Sequence, residues 1–271
     1  MVASISSSKI SVLNNLSKST NKEKDLLKNL STGLKVSSGK DNAAALEAIN
    51  TITAQLNGMD RANANSASAI SALEVAQGGQ AQTLSNLQEL RSLAVQSADG
   101  SLSAEDRSVI TSQAQSLLSS INSTASQLNL NGTNLLDGSF INKSIQTGAN
   151  SGDSVTVSID SATASALGID GIDLSSESSS SDAIAALDTA ISSVIGSMGE
   201  VGNATQNIET DVNTNNRMVE ILSASRSELQ DTDIAAVTAE LKSAQIKKQA
   251  STILLGSLNE TEKQSSLKIS V

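Results

Sequence analysis

The chain lacks several residue types on which a globular enzyme of its size ordinarily depends. Its 271 residues include no Cys, His, Trp, Tyr or Pro, and the single aromatic residue is Phe140. Without His and Cys, the most frequent general base, the thiol nucleophile and the usual zinc ligands are all missing, so we expect no enzyme. Without bulky rings, a core must be built from Leu, Ile, Val and Ala, which suits thin contacts between helices.

The remaining absences and the charge narrow the class of protein further. A proline inside a helix costs about 3 kcal/mol, so a chain without proline can form long uninterrupted helices. Acidic residues outnumber basic ones by 28 to 18, and we expect no nucleic-acid partner because phosphate backbones bind basic surfaces. No run approaches the roughly 20 apolar residues of a membrane span, and residues 1–8 lack the apolar run of a secretory signal peptide. Taken alone, these features predict a cytoplasmic protein without membrane contact.

Two stretches of the sequence carry apolar residues at alternating steps of three and four. A period of 3.5 residues is typical of helices that wrap around each other, so the two stretches predict an antiparallel coiled coil or helical bundle. We call these apolar residues the seam positions. The N-terminal seam comprises Ile49, Ile52, Leu56, Met59, Ile70, Leu73, Leu84 and Leu87. The C-terminal seam comprises Ile184, Leu187, Ile191, Val194, Met198, Val201, Ile208, Val212, Val219 and Leu222.

Polar residues interrupt both seams. Two interpretations are open: buried polar side chains can set the register between helices at a cost in stability, or they can face solvent where a helix drifts away from the seam. The residues concerned are Asn63, Ser66, Gln77, Gln80, Thr205 and Asn215.

The overall organisation is nearly symmetric, with an arm and a long helix at each end of a different middle segment. We predict an N-terminal arm over residues 1–41, core helices over 42–130, a small β-hairpin element over 131–175, a C-terminal core helix over 176–230 and a C-terminal arm over 231–271. The fold class is therefore mainly α. The polar run 17–25 interrupts the helical pattern of the first arm.

The two arms have too little apolar surface to be stable helices by themselves, since helix stability comes mostly from packing an apolar face. We expect these faces to pack between copies of the chain. The residues expected in this packing are Leu13, Leu16, Leu27, Leu30, Leu34, Ile234, Val237, Leu241, Ile253, Leu254 and Leu258.

Local signals place the helix ends and the turns. Asp41 or Asn42 can cap the long N-terminal helix, and Ser103 can cap the next one. Gly78-Gly79 is a weak point within the long helix, costing roughly 1 kcal/mol per glycine. The alternation over 154–159 predicts a strand, and Ser175–Ser181 reads as a polar linker whose helix begins with Asp182 as its cap.

No motif predicts a cofactor or a metal. The segment 33–41 resembles a phosphate-binding loop, but its spacing is one residue too long, and Asp41 stands where a Mg²⁺-binding Ser or Thr is needed. The carboxylates at 231–233 and 170–173 do not continue into the spaced oxygen ligands of a calcium loop, so capping and turn roles explain them.

Five blocks of the sequence, in order along the chain, resemble the terminal signatures of bacterial flagellins. They lie at 30–44 (LSTGLKVSSGKDNAA), 87–100 (LQELRSLAVQSADG), the turns of 131–138 and 146–150, 226–233 (RSELQDTD) and 244–250 (AQIKKQA). The resemblance covers nearly the whole chain and implies a minimal flagellin with terminal arms (D0-like) and a core (D1-like) but no outer variable domains.

The resemblance implies a subunit of the flagellar filament that is exported unfolded through the flagellar type III apparatus. That route needs no cleavable signal peptide, so the expected location changes from the cytoplasm to the extracellular filament. The implied partners are further copies of the chain, the flagellar cap, hook-junction proteins and an export chaperone at the C-terminal arm. Arms that order only against neighbouring copies fit this implication.

The resemblance also implies a contact surface for the Toll-like receptor that senses flagellin. At the family's contact positions this chain has Glu89 in place of Arg, Leu93 retained, and Gln113 in place of Glu. Since a charge reversal at a contact introduces repulsion, we expect weak or absent receptor activation. Two rivals remain: the nearer one is a hook–filament junction protein, which is similar at both termini, and the one from another class is a generic coiled-coil adhesin or secretion-needle component.

Overall fold

The protein is described by a computed structural model that covers the backbone of residues 2–269 and the side chains of 7–264. The outermost residues of both predicted arms, Met1 and 270–271, lie outside the described part. The helices are α1 (Val2–Thr32), α2 (Gly39–Ser97), α3 (Ala104–Gln127), α4 (Glu177–Gln230) and α5 (Ile234–Ile269). The strands are β1 (Asn129–Leu130), β2 (Thr133–Asn134), β3 (Lys143–Gln146) and β4 (Ser154–Val157). The predicted mainly α fold with small β-hairpins is confirmed.

The chain divides into two compact units. One unit combines Met1–Ala54 with Ile221–Val271, and we call it the arm unit. The other is Gln55–Glu220, which we call the core unit. The borders between the units lie inside the long helices α2 and α4, whereas the predicted domain borders follow the helix ends.

In the arm unit, α1 and α5 form an antiparallel pair. Leu26 packs against Leu241 and Ala244, and all three are buried. The prediction of an interruption at residues 17–25 is wrong, because α1 is continuous there. The polar run supplies Lys22 and Glu23, which form ion pairs with Glu240 and Lys248 of α5 at 2.9 and 2.8 Å. A helix partner therefore stabilises a stretch that has little apolar surface of its own.

The breaks between the arm helices and the long helices face each other within the arm unit. Gly33 ends α1 with φ +72°, a conformation that favours glycine. The Lys35 N–H donates to the Gln230 carbonyl at 2.8 Å, and the Thr232 N–H donates to the Gly33 carbonyl at 2.9 Å. Asn42 has an extended backbone and accepts a bond from Ala45 N, so the predicted cap near residue 42 is confirmed.

The core unit is built from α2, α3, α4 and the segment between α3 and α4. Two hydrophobic clusters fill it, one around Leu87, Ile121 and Leu187 and the other around Leu73 and Val201. Helix α3 starts with a capping box between Ser103 and Asp106, so the predicted cap at Ser103 is confirmed. The buried face of α3 consists of Ile110, Ala114, Ile121 and Ala125.

The segment between α3 and α4 contains two antiparallel hairpins. Strands β1 and β2 are joined by Asn131 (φ 52°) and Gly132 (φ 78°), the paired positive φ values of a two-residue hairpin turn. Strands β3 and β4 pair with Ile145 opposite Val155. The predicted strand over 154–159 stops at Val157, because Ile159 leaves the ladder and is fully buried in the core.

Helix α4 begins earlier than predicted. Its first residue is Glu177, and Ser176 is the cap, since the Ser176 hydroxyl accepts a bond from Ser179 N at 3.2 Å. The prediction of a linker through Ser181 capped by Asp182 is therefore wrong. The physical reason is burial: Ser180 is fully buried and donates to the Ser176 carbonyl at 2.7 Å, so the serine run is part of the helix.

In one stretch, α4 is long and apolar enough to cross a membrane by length and composition alone. The sequence predicted no membrane span because no run of about 20 apolar residues occurs. In α4 the apolar residues Ala, Ile and Val are interspersed with Ser, Thr and Asp, so the stretch is apolar on average although it contains no such run. A core helix of a soluble protein meets the same criterion.

Candidate functional site

The seam positions lie along the two long helices, and the structure leaves none of them exposed. In the N-terminal seam, Ile49, Leu56, Met59, Leu73 and Leu87 are buried and the others are half-buried. In the C-terminal seam, the buried members are Leu187, Val194, Val201 and Ile208, and Ile184, Ile191, Met198, Val212, Val219 and Leu222 are half-buried. A seam of this kind holds helices together but contains no reactive group.

Ser66, Gln80 and Asn215 among the polar seam residues are buried and the other three are half-buried, so the interpretation that they simply face water does not hold. Gln80 and Ser66 are 1% and 0% exposed. The Gln80 Nε2 donates to Ser197 Oγ across the α2–α4 contact at 2.9 Å. The Gln80 Oε1 and the Ser66 and Thr83 hydroxyls have no hydrogen-bond partner within the described part of the chain. Since a buried unpaired polar atom costs stability, these three atoms lower the stability of the folded core unit.

A second polar network fastens the β3–β4 hairpin to the long helices of the core unit. Asn215 Nδ2 of α4 donates to Asn63 Oδ1 of α2 at 3.0 Å and to the Thr147 carbonyl at 2.5 Å. The Thr147 hydroxyl donates to Asp211 Oδ2 at 2.8 Å. At Gly58, an added Cβ would lie 2.9 Å from the Ala149 Cβ, so the hairpin tip approaches α2 closely. The polar seam residue Asn215 is therefore an anchor for the hairpin.

The predicted arm-packing residues fall into two groups. Leu241 is buried, and Leu16, Leu30, Leu34, Val237 and Leu258 are half-buried. The others are exposed although they are large and apolar, namely Leu13 (47%), Leu27 (46%), Ile234 (59%), Ile253 (74%) and Leu254 (49%).

Two further exposed residues of this kind, Ile10 and Ile246, were not predicted from the sequence. Ile246 and Ile253 are seven residues apart on α5, so they lie on one helix face. That spacing is the signal that could have found Ile246.

The three predicted receptor-contact residues lie in the core unit. Glu89 of α2 and Gln113 of α3 are exposed, whereas Leu93 is half-buried and packs against the hydrophobic cluster. Glu89 and Leu93 are four residues apart and therefore share a helix face.

Charged groups contribute local contacts and a marked asymmetry between the units. Arg91 Nε of α2 donates to Asp188 Oδ1 of α4 at 2.5 Å, and this bond lowers the pKa of Asp188 from its ordinary value. The Ser37 backbone N–H, followed by the Lys28 ammonium, lowers the pKa of Asp41. The arm unit carries 13 Lys and Arg against 10 Asp and Glu, whereas the core unit carries 5 against 18. The net charge is therefore +3 for the arm unit and −13 for the core unit.

The described residues include no group of three or more His, Cys, Asp or Glu side chains that could hold a metal ion. The arrangement instead comprises helix contacts, an anchored hairpin and an exposed apolar arm surface. Family comparison agrees with this architecture. Residues 4–141 match the family of the bacterial flagellin N-terminal helical region, and residues 184–268 match the family of the bacterial flagellin C-terminal helical region.

The chain belongs to the bacterial flagellin family.

Related proteins are flagellins from several bacteria. A flagellar filament 33 kDa core protein of Treponema phagedenis is 30% identical over 91% of this chain and 90% of its own length. Flagellin B of Vibrio anguillarum is 39% identical over 54% of this chain, and the alignment covers 38% of that flagellin. The chain thus spans about two fifths of the length of such Vibrio flagellins. Flagellins are structural filament proteins, so the chain is not an enzyme.

Solved structures share the fold. A Bacillus cereus flagellin superposes with a TM-score of 0.51 at 24% identity, covering 56% of this chain and 88% of that one. A chain described as a flagellar hook-associated protein of Vibrio parahaemolyticus superposes with a TM-score of 0.59 at 15% identity, covering 71% of this chain and all of that one. At these identities the likeness extends to the fold alone, so it does not distinguish a filament subunit from a hook-associated protein.

Proposed function

We propose that the chain is the structural subunit of a helical flagellar filament, in which many copies assemble through their arms. The observation that carries this proposal is the apolar surface of the arm unit. Among the described residues of this unit, eight large apolar side chains are exposed, whereas six apolar residues are buried. Ile10 and Leu13 share one face of α1, and Ile246 and Ile253 share one face of α5; exposed apolar faces of this kind are typical of surfaces that a partner covers. A head-to-tail contact that does not close produces a filament.

We also propose that the arms become ordered when copies assemble. The buried part of the α1–α5 pair is thin, with Leu26, Leu241 and Ala244 at its centre. A pair with so small a core gains most of its stability from further packing. We therefore expect arms of dilute monomers to be cleaved rapidly by proteases and arms in filaments to be protected.

Electron microscopy of the purified protein, after seeding or salt-induced assembly, tests the proposal directly. Long filaments are expected. The substitution Ile253→Asn, at a side chain that is 74% exposed, should prevent assembly while leaving the circular dichroism of the core unit unchanged. Gln249→Asn, at an exposed polar residue of the same helix, is the matched control and should assemble normally. A wild-type protein that stays monomeric with protease-resistant arms would contradict the proposal.

The proposal extends to export and to partners other than the chain itself. It places the protein outside the cell after type III export, with a chaperone on the C-terminal arm before export and with the flagellar cap and hook-junction proteins as filament partners. Exposed Ile246 and Ile253 on α5 support the chaperone, because an exposed apolar helix face needs shielding before assembly. If a strain that lacks the type III export apparatus retains the protein in its cytoplasm, this export route is supported.

We further propose that receptor activation is weak. Glu89 is exposed on α2, where the resemblance places a contact made by Arg in relatives. A carboxylate there reverses the charge at the contact and introduces repulsion.

The alternative of a hook–filament junction protein receives less support, since family matches at both ends and the Treponema filament protein all belong to flagellins. If the purified protein binds to the ends of hooks but forms no long filaments, the hook–filament junction function is favoured instead.

A further inference from the structure

The chain offers few side chains to a chemical oxidant. It contains no Cys, Trp, Tyr or His, so its four methionines are the side chains that a mild peroxide oxidises most readily. The structure describes three of these side chains, and they differ in exposure. Met59 of α2 is 8% exposed, Met198 of α4 is half-buried, and Met218 of α4 is 41% exposed. One thioether is therefore accessible and two are protected.

The protected methionines belong to the packed part of the core unit. Met198 packs against the hydrophobic cluster around Leu87, Ile121 and Leu187. Met59 is a buried seam position of α2. A dissolved peroxide reaches a sulfur in such surroundings mainly when the helices open locally, and the elements of a packed core open least often.

Met218 has different surroundings, because it borders a cavity of about 420 Å³ between the tip of the β3–β4 hairpin and the long helices. Met59 also borders this cavity from α2, but its side chain is buried. The rest of the lining consists of polar residues and glycines, including Thr147, Asp211 and Asn215. A small polar oxidant such as hydrogen peroxide suits a cavity of this size and polarity.

We propose that Met218 is a site of reversible oxidation that adjusts how firmly the hairpin tip is anchored. A hydroperoxide transfers one oxygen atom to the Met218 sulfur. The O–O bond breaks, an S–O bond forms, the thioether loses two electrons, and hydrogen peroxide is reduced to water. The product is methionine sulfoxide, a polar group that methionine sulfoxide reductases convert back to the thioether. The proposal concerns the single molecule, so it goes beyond filament assembly and does not depend on it.

The sulfoxide oxygen is a new hydrogen-bond acceptor beside donors that the anchor already uses. Asn215 Nδ2 donates to Asn63 Oδ1 and to the Thr147 carbonyl, and the Thr147 hydroxyl donates to Asp211. The sulfoxide oxygen competes with these acceptors for the same donors. Each bond that it captures is one that no longer holds the hairpin tip on α4, so oxidation loosens the tip.

Treatment of the full-length monomer with hydrogen peroxide tests the selectivity. The three methionines lie on separate tryptic peptides, 41–61, 144–217 and 218–226, so mass spectrometry follows each oxidation rate separately. We expect Met218 to react at least about tenfold faster than Met59, with Met198 between them, because buried sulfurs wait for local opening. In urea, where the chain is unfolded, the three rates should be equal. Equal rates in the folded protein would overturn the proposal.

Amide hydrogen exchange between Thr147 and Asp153 tests the consequence. Oxidation that stops after Met218 should accelerate exchange about fivefold, the change expected for the loss of one ordinary hydrogen bond. Methionine sulfoxide reductase, with dithiothreitol as its reductant, should restore the parent rate. Unchanged exchange in protein oxidised at Met218 would overturn the proposal.

Two matched variants assign the effect to one sulfur. Met218→Leu keeps an apolar side chain of similar volume without the thioether, so peroxide should leave exchange at the hairpin tip unchanged. Met198→Leu makes the same replacement at the half-buried methionine of α4 and should retain the parent response. A peroxide response that persists in Met218→Leu, or one that disappears in Met198→Leu, would overturn the assignment to Met218.

Discussion

Gln80 of α2 donates a hydrogen bond from Nε2 to Ser197 Oγ of α4 at 2.9 Å, within a helix contact whose seam is mostly aliphatic. Both residues are buried. In an antiparallel pair of helices with a regular apolar seam, a shift by one heptad leaves the apolar contacts almost unchanged. The same shift would place Gln80 opposite an apolar side chain and leave its amide unpaired. The pair thus distinguishes the observed register from its neighbours.

Removing one member of this pair should cost more than removing both. Ser197→Ala leaves the Gln80 amide buried without its acceptor and should destabilise the core unit by about 1–3 kcal/mol. In the double variant Gln80→Leu/Ser197→Ala the cost should be smaller than the sum of the single costs. Urea denaturation followed by circular dichroism measures the cycle. Ser192→Ala, at an exposed serine of α4, should stay within about 0.5 kcal/mol of the parent. Additive single effects would show that the two residues are not coupled.

The hairpin anchor should depend on Asn215. Asn215→Ala removes the bonds to Asn63 and to the Thr147 carbonyl, and we expect a loss of about 1–3 kcal/mol. Amide hydrogen exchange between Thr147 and Asp153 should accelerate, because the tip loses its tie to α4. Asn213→Ala, at an exposed position of the same helix, provides the comparison and should leave exchange at the tip unchanged. Unchanged exchange in both variants would mean that the close packing at Gly58 holds the tip alone.

The adjacent glycines of α2 should respond to alanine in opposite ways. A Cβ at Gly78 meets nothing within 4 Å, so Gly78→Ala should stabilise the helix by about 1 kcal/mol through helix propensity. A Cβ at Gly79 would lie 2.6 Å from Leu136 Cδ1 and 2.7 Å from Leu128 Cδ2, so Gly79→Ala should cost about 1–3 kcal/mol through overpacking. Thermal unfolding of the two variants is a direct comparison. Equal stabilisation by both would show that the leucines move aside freely.

Acid should loosen the break between α1 and α2 through Asp41. Its carboxylate accepts bonds from the backbone N–H groups of Ser37 and Ser38 at 3.1 and 3.0 Å, and the Ser37 bond is the largest cause of its lowered pKa. Because the folded pKa lies below the unfolded value of about 3.9, this contribution is fully present above that value and is lost as the pH falls through the folded pKa.

Hydrogen exchange of the Ser37 and Ser38 amides in assembled protein measures the effect. In Asp41→Ala both amides should exchange rapidly at neutral pH. Asp25→Ala, which removes an exposed carboxylate of α1, should leave them protected. If the Ser37 and Ser38 amides stay protected in Asp41→Ala, the backbone alone maintains the loop geometry and the Asp41 carboxylate is not needed.

Receptor activation should increase when the charge at residue 89 is reversed. Relative to the parent, Glu89→Arg should raise the response of receptor-expressing reporter cells to purified monomer by at least about tenfold, since repulsion between like charges is replaced by attraction. Glu74→Arg, at another exposed glutamate of α2, makes the same charge change away from the expected contact. A strong response of the parent protein at nanomolar dose would refute the expected weakness.

Most of the helix pattern could be read from the sequence because its determinants are local. The 3.5-residue period of the seams, the cap at Ser103 and the break at residues 231–233 depend on residues close together in the chain, and the structure has each of them. The sequence-based predictions were wrong where residues distant in the chain determine the local structure. The run 17–25 looked like an interruption, but Glu240 and Lys248 of α5 pair with it. The serines before Asp182 looked like a linker, yet Ser180 is buried in the core unit.

The sequence alone determined the class of the protein: long helices without proline, a core without rings and the flagellin signatures at both ends, because period, composition and motif are properties of the chain itself. Only the tertiary structure decided which polar seam residues are paired. A 3.5-residue period places Gln80 and Asn215 on the correct helix faces, but it does not say whether Ser197 or Thr147 stands opposite them. That depends on the register between segments more than 60 residues apart, which is set by the packing of the whole core unit.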